Sequence, residues 1–274
     1  MERAPVHCIL CNSTRRRELI SRAEWTVFKC ADCGLGFLDP RPDRNELDEL
    51  YRSDYFSSHY DEGLKVGSPE MKRRLSQEDH RIRFFRGIKK QGRILDIGCG
   101  MGYFLHAARA FGYQVEGMDV SGDSASYVEE TLKIPVTTGS IEEVTFQPES
   151  FDIITMWHAL EHTPDPRVHV EKAWNWLKPG GLFVVDVPNH EGTDAIHLWD
   201  AWDGWSLPYH LYHFTPATLN ALLMRFGFTP IREKRYHSQY IKEKLEKNPL
   251  VRPFARLIAK RYSGHSVAVV AKKE

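Results

Sequence analysis

The sequence predicts an α/β fold, a parallel sheet with helices on both faces, preceded by a small cysteine-bearing unit. Three observations carry this. The apolar run Arg93-Ile94-Leu95 ends in the glycine-rich stretch D-I-G-C-G-M-G, Asp96 to Gly102, and Tyr103 to Phe111 then has the pattern of a helix. A second apolar run, Tyr113 to Met118, ends at an acidic residue, Asp119. Apolar strand and amphipathic helix patterns alternate from about residue 91 onward, as in a parallel sheet covered on both sides.

The chain has 274 residues, enough for one full α/β domain and a small accessory unit. Lys plus Arg (37) equals Asp plus Glu (37), so no global field favours nucleic acid or an acidic surface. No apolar run approaches the ~20 residues that span a bilayer. Met1 to Pro5 leads into no signal-peptide core, which points to the cytoplasm, where thiols stay reduced.

In chain order, residues 1–38 are expected to form a zinc ribbon. Cys8-x-x-Cys11 and Cys30-x-x-Cys33, with 18 residues between the pairs, have the spacing of a closed four-thiolate site, and such a site is structural. His7 beside it is a bystander, and Arg15-Arg16-Arg17 reads as a solvated face. Residues 39–90 read as linker and helical cap: the stiff Asp39-Pro40-Arg41-Pro42, a short helical pattern from Asn45 to Tyr51, an aromatic segment from Tyr51 to Phe56, a loop from Gly63 to Ser68, and a basic amphipathic helix from Pro69 to Gly87. Residues 91–274 carry the α/β core. Thr215-Pro216 starts a helix that Gly227 stops, Thr229 to Tyr236 reads as a strand, and His265 to Ala271 is the last one. An insertion at about 238–263 holds a basic amphipathic stretch, Ile241 to Tyr262, with seven Lys or Arg against two Glu. It reads first as a helical excursion packed on the domain. Peripheral contact with an anionic membrane, or with a phosphorylated acceptor, is the alternative.

The glycine turn is the main functional signal. Glycines accept positive φ and let a ligand approach the main chain, and the following helix start offers free N–H groups. Asp119 stands where it can accept hydrogen bonds from ribose hydroxyls. A dinucleotide fold wants G-x-G-x-x-G, whereas Gly98, Gly100 and Gly102 are spaced G-x-G-x-G. Asp96 would repel a pyrophosphate and suits a cationic group, such as the ammonium and sulfonium of S-adenosylmethionine (SAM).

On these residues the chain resembles the class I SAM-dependent methyltransferases. The resemblance continues in order through Met118-Asp119-Val120-Ser121, Gly139-Ser140-Ile141-Glu142, Phe151 to Ile154 with His158-Ala-Leu-Glu161-His162, and Leu177-Lys178-Pro179-Gly180-Gly181 before Leu182 to Val187. It implies a Rossmann-like seven-stranded sheet with the last strand antiparallel. It also implies a SAM pocket in which Asp96 holds the ammonium side, Gly98, Gly100 and Gly102 make room for the methionine portion, Asp119 binds ribose, and Ser140 and Ile141 meet adenine. Tyr103, Phe104, Val120 and Trp157 are expected around the same pocket. The ribbon, the Gly34 to Pro42 linker and the Tyr51 to Phe56 segment resemble a subset that methylates sugars and other small metabolites.

Methyl transfer to a hydroxyl needs a general base, typically histidine. The resemblance puts His158 near the methyl group, with packing against the pocket as its other role. His210 is the first candidate base and His213 the second, both in the P-Y-H-L-Y-H-F stretch 208–214, with side-chain bonding to the loop backbone as the alternative for each. Trp199, Trp202 and Trp205 read as an acceptor wall first, with local core as the alternative. Asn189 and His190 are expected on the same side. Cys99 reads as a small tolerated residue. Glu161-His162 reads as loop or helix-start structure. His158 and His162 have an i, i+4 metal spacing, but Thr163-Pro164 opposes the helix it needs. The expected activity is transfer of a methyl group from SAM to a small-molecule hydroxyl, a sugar or sugar- or phosphate-linked metabolite first. Methylation of RNA or protein, transfer to carbon or nitrogen, and a zinc-ribbon binding module with a degenerate cofactor domain are the rivals. Zero charge and the absence of a basic stripe count against nucleic acid.

Overall fold

The computed structural model describes residues 1, 3–43, 46–47 and 63–274. The helical pattern from Asn45 to Tyr51 lies largely, and the aromatic segment from Tyr51 to Phe56 wholly, outside the described residues. Two sheets organise the chain. A small sheet comes first: β1 (Arg16–Arg22), β2 (Trp25–Cys30) and β3 (Gly36–Leu38). A helix α1 (Pro69–Arg86) follows, with Ser68 accepting from the Met71 N–H as its cap. The large sheet then begins with β4 (Arg93–Ile97), α2 (Tyr103–Ala110), β5 (Gln114–Asp119), α3 (Gly122–Glu130) and β6 (Val136–Thr138). It continues through β7 (Phe151–Trp157), α4 (Pro166–Trp176) and β8 (Leu177–Pro188). After α5 (Thr193–Leu198), two short 3-10 turns and the two-residue β9 (Tyr212–His213), α6 (Pro216–Arg225) and β10 (Phe228–His237) follow. The chain closes with α7 (Gln239–Glu246), α8 (Ala255–Ala259) and β11 (Ser263–Lys273).

The large sheet has seven strands in the order β10-β11-β8-β7-β4-β5-β6. The pairs from β8 to β6 are parallel, and β11 runs antiparallel to both of its neighbours. The fold class expected from the sequence is therefore the one observed. Strand order reverses between β4 and β7, so the crevice beyond their carboxyl ends is where a ligand belongs. The Leu177 to Gly181 motif is a bulge within β8 rather than a turn before it. Phe151 pairs with Leu177 but Ile153 already pairs with Leu182. Thr215 and Thr218 form a reciprocal capping box at the start of α6, as Thr215-Pro216 announces.

The small sheet is completed from outside the ribbon. Its order is β1-β2-β3-β9, so Tyr212–His213 of the α/β core supplies the fourth strand. Leu38 N–H donates to the Leu211 carbonyl (3.0 Å), and Leu211 N–H donates to the Glu161 carbonyl (2.9 Å). Arg225 on α6 reaches the carbonyls of Ile9 and Leu10 at 3.0 Å each. Val27, Leu35 and Leu38 share one continuous apolar core with Ile97, Trp205 and Phe214.

The close approach at β3–β9 requires a glycine. A Cβ on Gly36 would lie 2.8 Å from the His213 Cβ and 3.1 Å from its carbonyl oxygen. Gly36→Ala is expected to cost about 1–3 kcal/mol, as overpacking does, and to lower Tm by about 2–4 °C for each of them. Thermal unfolding of the full chain checks this, and an unchanged Tm would mean that β9 does not pair with β3.

Candidate active site

Three loops meet at the carboxyl ends of β4, β5 and β6. Gly98, Gly100 and Gly102 all have positive φ (73°, 49° and 67°), so their backbone conformation is one that side chains resist. Asp119 accepts from Gly100 N–H (2.7 Å) and Ser121 N–H (2.9 Å), and its carbonyl accepts from Gly139 N–H (2.9 Å). The acid expected to bind ribose is thus fixed by the glycine turn on one side and tied to the Ser140–Ile141 loop on the other. Lys172 on α4 holds that second loop by donating to the carbonyls of Ile141, Glu142 (3.3 Å) and Val144 (2.8 Å). Ile141 is buried, and Ser140 Oγ donates to Glu143 at 2.9 Å.

Asp96 is buried in β4, where Thr155 Oγ1 donates to it at 2.5 Å. Burial pushes its carboxyl well above the ordinary range, against the pull of Thr155 and of Arg81. A cation brought beside it would reverse that. Burial also raises Asp119, with its backbone donors opposing. Tyr103 opens α2 and accepts from Leu64 N–H (3.2 Å). Phe104 and Trp157 are core rings 5.3 Å apart, and the Arg81 guanidinium lies 5.0 Å over Trp157. Val120 is exposed. Cys99 is buried, and a Cβ on Gly117 would meet its sulfur at 2.6 Å, which suits a small packed residue.

His158 follows β7 directly. Its φ is 55°, a conformation β-carbon residues rarely hold without a local reason. Its N–H donates to the Asp186 carbonyl at 2.9 Å. A Cβ on Gly98 would lie 2.8 Å from the Ala159 Cβ, so this loop abuts the glycine turn. The ring keeps 35% exposure, with Nδ1 3.4 Å from Glu161 and Nε2 3.9 Å from Asp186. Desolvation lowers the His158 pKa, but Asp186 and Glu161 outweigh it and the net shift is upward. Burial alone would raise Glu161; His158, His162 and His210 hold it at about 2 instead. Asp186 accepts from the Tyr236 hydroxyl at 2.8 Å.

The other candidate histidines are set differently. His210 is buried, with Nδ1 2.9 Å from the Gly204 carbonyl, and burial next to His162 takes its pKa down to about 3. His213 is buried 5.2 Å from the Trp205 ring, and burial lowers it further. His190 is buried as well, 3.3 Å from the Gly34 carbonyl. No separate signal in the sequence marks Glu161 as the centre of this group, or Tyr236. Asp186 did leave one: a lone charge within the apolar strand Phe183 to Val187, paired in register with Trp157.

The tryptophan wall needs correcting. Trp202 and Trp205 are fully buried, their rings 5.1 Å apart, and Trp205 Nε1 donates to the Trp199 carbonyl at 2.8 Å. Only Trp199 keeps a large exposed face, at 46%. The insertion forms α7, a 3-10 turn and α8, anchored where Asp194 accepts from Ser238, Gln239 and Tyr240. Leu250, Phe254 and Leu257 stand exposed on it. Among the described residues no helix is long and apolar enough to cross a membrane.

In the ribbon, the four sulfurs of Cys8, Cys11, Cys30 and Cys33 lie within 4.8 Å of one another. Cys8–Cys33 and Cys11–Cys30 are each 3.5 Å apart, beyond any disulfide. A tetrahedral ion with ~2.3 Å bonds to sulfur needs sulfurs separated by about 3.8 Å, so the cluster fits a four-thiolate site.

Comparison with known proteins agrees with this geometry. A family described as "Methyltransferase domain" matches residues 70–233. The ubiquinone biosynthesis O-methyltransferase of Xanthomonas euvesicatoria is 31% identical over 147 residues, 49% of this chain and 62% of that protein. That of Idiomarina loihiensis is 37% identical over 103 residues, 35% of this chain and 42% of that protein. The chain thus spans less than two thirds of the length of these curated relatives. In fold it is similar to a SAM-dependent methyltransferase from Archaeoglobus fulgidus, with a TM-score of 0.56 and 20% identity over 74% of this chain and 94% of that one.

The burial contrast among the tryptophans is testable. Trp205→Ala is expected to cost about 3–5 kcal/mol of stability, and Trp199→Ala less than about 0.5 kcal/mol. Denaturant unfolding measures both, and comparable small losses would return Trp205 to the surface.

Proposed function

The chain belongs to the methyltransferase-domain family, and on that premise we propose that it moves the methyl group of SAM onto a hydroxyl of a small molecule, with His158 as general base. The observation that carries the choice of base is the setting of His158: a partly exposed ring, flanked by the carboxylates of Glu161 and Asp186, on the loop whose next residue abuts the glycine turn. His210 and His213 are buried and their charged forms strongly disfavoured, so as proton acceptors they rank behind it.

Residues Asp96, Gly98, Gly100, Gly102, Asp119, Ser140 and Ile141 would hold the donor. Bound SAM supplies an already activated methyl group. Asp119, pre-aimed by two backbone N–H groups, accepts from the ribose hydroxyls, and buried Asp96 is the counter-charge for the ammonium. Alignment of the acceptor oxygen with the methyl carbon does much of the work, up to ~7–11 kcal/mol in favourable cases. As the carbon–oxygen bond forms, His158 takes the hydroxyl proton, and Asp186 and Glu161 stabilise the imidazolium. The names of the relatives, O-methyltransferases of a small molecule, support oxygen as the methylated atom. A sugar or sugar-linked acceptor remains the finer reading from the ribbon and linker, with Trp199 as the one exposed ring of its stretch. Cys8, Cys11, Cys30 and Cys33 would hold a structural zinc ion. A location in the cytoplasm fits the reduced cysteines.

The pH dependence follows from sign. Only neutral imidazole accepts a proton, and the neighbouring carboxylates favour its charged form. So kcat/KM should rise with pH through a midpoint above 6.5, and Asp186→Asn should move that midpoint down. His158→Asn, which tolerates the positive φ, should lower kcat by ~10²–10⁴-fold with SAM affinity retained. Transfer of labelled methyl from SAM to a panel of hydroxylated metabolites measures all three. Turnover indifferent to His158→Asn contradicts the assignment.

A further inference from the structure

Beyond the ribbon, a second group of ligating side chains is gathered at one point. Glu161, His162 and His210 place one ligand atom each within 4.8 Å of the others. They come from distant parts of the chain. Glu161 and His162 sit on the 3-10 turn Leu160–His162, whereas His210 arrives on the loop before β9. The Leu211 N–H to Glu161 carbonyl bond (2.9 Å) fixes the two segments against each other. The site is therefore held by backbone. His162 takes part without His158 as its i, i+4 partner, because no α-helix spans the two.

Two further observations point to a ligand. Glu161 is fully buried, yet among the described residues neither carboxylate oxygen accepts a hydrogen bond; the His158 ring lies 3.4 Å away. A buried carboxylate oxygen without a donor leaves a coordination position that a cation can take. The second is the tautomer of His210. The Gly204 carbonyl 2.9 Å from Nδ1 only accepts, so Nδ1 carries the proton and Nε2 keeps its lone pair. A backbone carbonyl orienting the far nitrogen is the usual support of a metal-ligating imidazole.

We propose that Glu161, His162 and His210 bind a divalent transition-metal ion of the Zn²⁺ class, through two imidazole nitrogens and one carboxylate oxygen. The donor set is that of a three-ligand site with a coordination position left open, unlike the closed four-thiolate ribbon. Glu161 is shared with the setting of His158, but the test of the metal site uses neither SAM nor an acceptor, so its failure is distinguishable from failure of the proposed methyl transfer.

The full chain is equilibrated with buffered Zn²⁺, and bound metal is counted by mass spectrometry for the wild type, Glu161→Gln and His210→Gln. The wild type should retain one equivalent per chain more than either variant, with matching circular dichroism. X-ray absorption at the zinc edge of the wild type needs no variant, so it decides the matter if the substitutions fail to fold. A nitrogen or oxygen shell at ~2.0–2.1 Å, in addition to any sulfur at ~2.3 Å, supports the site. Equal metal content in all three proteins, or a sulfur shell alone, overturns it.

Discussion

The main chain of Leu211 joins the parts of this molecule that chemistry needs together. Its carbonyl accepts from Leu38 at the end of the ribbon, and its N–H donates to Glu161 in the loop after β7. Two backbone bonds thus tie the cysteine unit, the His210 segment and the His158–His162 loop into one frame. Each such bond contributes only about 0.5–1.5 kcal/mol net, but losing either would leave a polar group without its partner in a buried region. β3 and β9 approach so closely at Gly36 and His213 that a Cβ on Gly36 would have no room. The ribbon is thereby joined directly to the segment that carries His210 and His213.

Electrostatics divides the crevice into two regions. On the β4–β5 side, Asp96 and Asp119 are buried carboxylates whose charged forms are disfavoured until a cation or hydroxyl donors arrive. On the β7–β8 side, Glu161 and Asp186 face imidazoles, and His158 gains proton affinity from them. The first arrangement suits recognition of a positively charged donor. The second suits receipt of a proton. The glycine turn and Ala159 touch at the boundary, which sets the two functions side by side.

The sequence made the first region legible and hid most of the second. Asp96, the three glycines and Asp119 lie on successive strand ends, so their grouping follows from local pattern plus the rule that parallel strands put their carboxyl ends on one edge. The helix start at Thr215-Pro216 and the last apolar strand were readable for the same local reason, whereas the antiparallel direction of that strand came from the family resemblance. His210 reaches Glu161 only through a backbone bridge across some fifty residues of chain, and no periodicity encodes that. β9 is two residues long and pairs with a strand near the N-terminus, so it carries no strand signature of its own. Trp202 and Trp205 resemble surface aromatics because their neighbours are polar and irregular, yet 3-10 turns fold both rings into the core.

The central claim is that the glycine turn and its two carboxylates hold a cationic methyl donor. Calorimetric titration of the full chain with SAM tests it most directly. Saturation at one per chain is expected, weakened about 10- to 140-fold in Asp119→Ala, as loss of a charge-assisted hydrogen bond worth about 1.5–3 kcal/mol would give. Absence of binding to SAM together with saturation by a nicotinamide or flavin nucleotide, or unchanged affinity in Asp119→Ala, would contradict it.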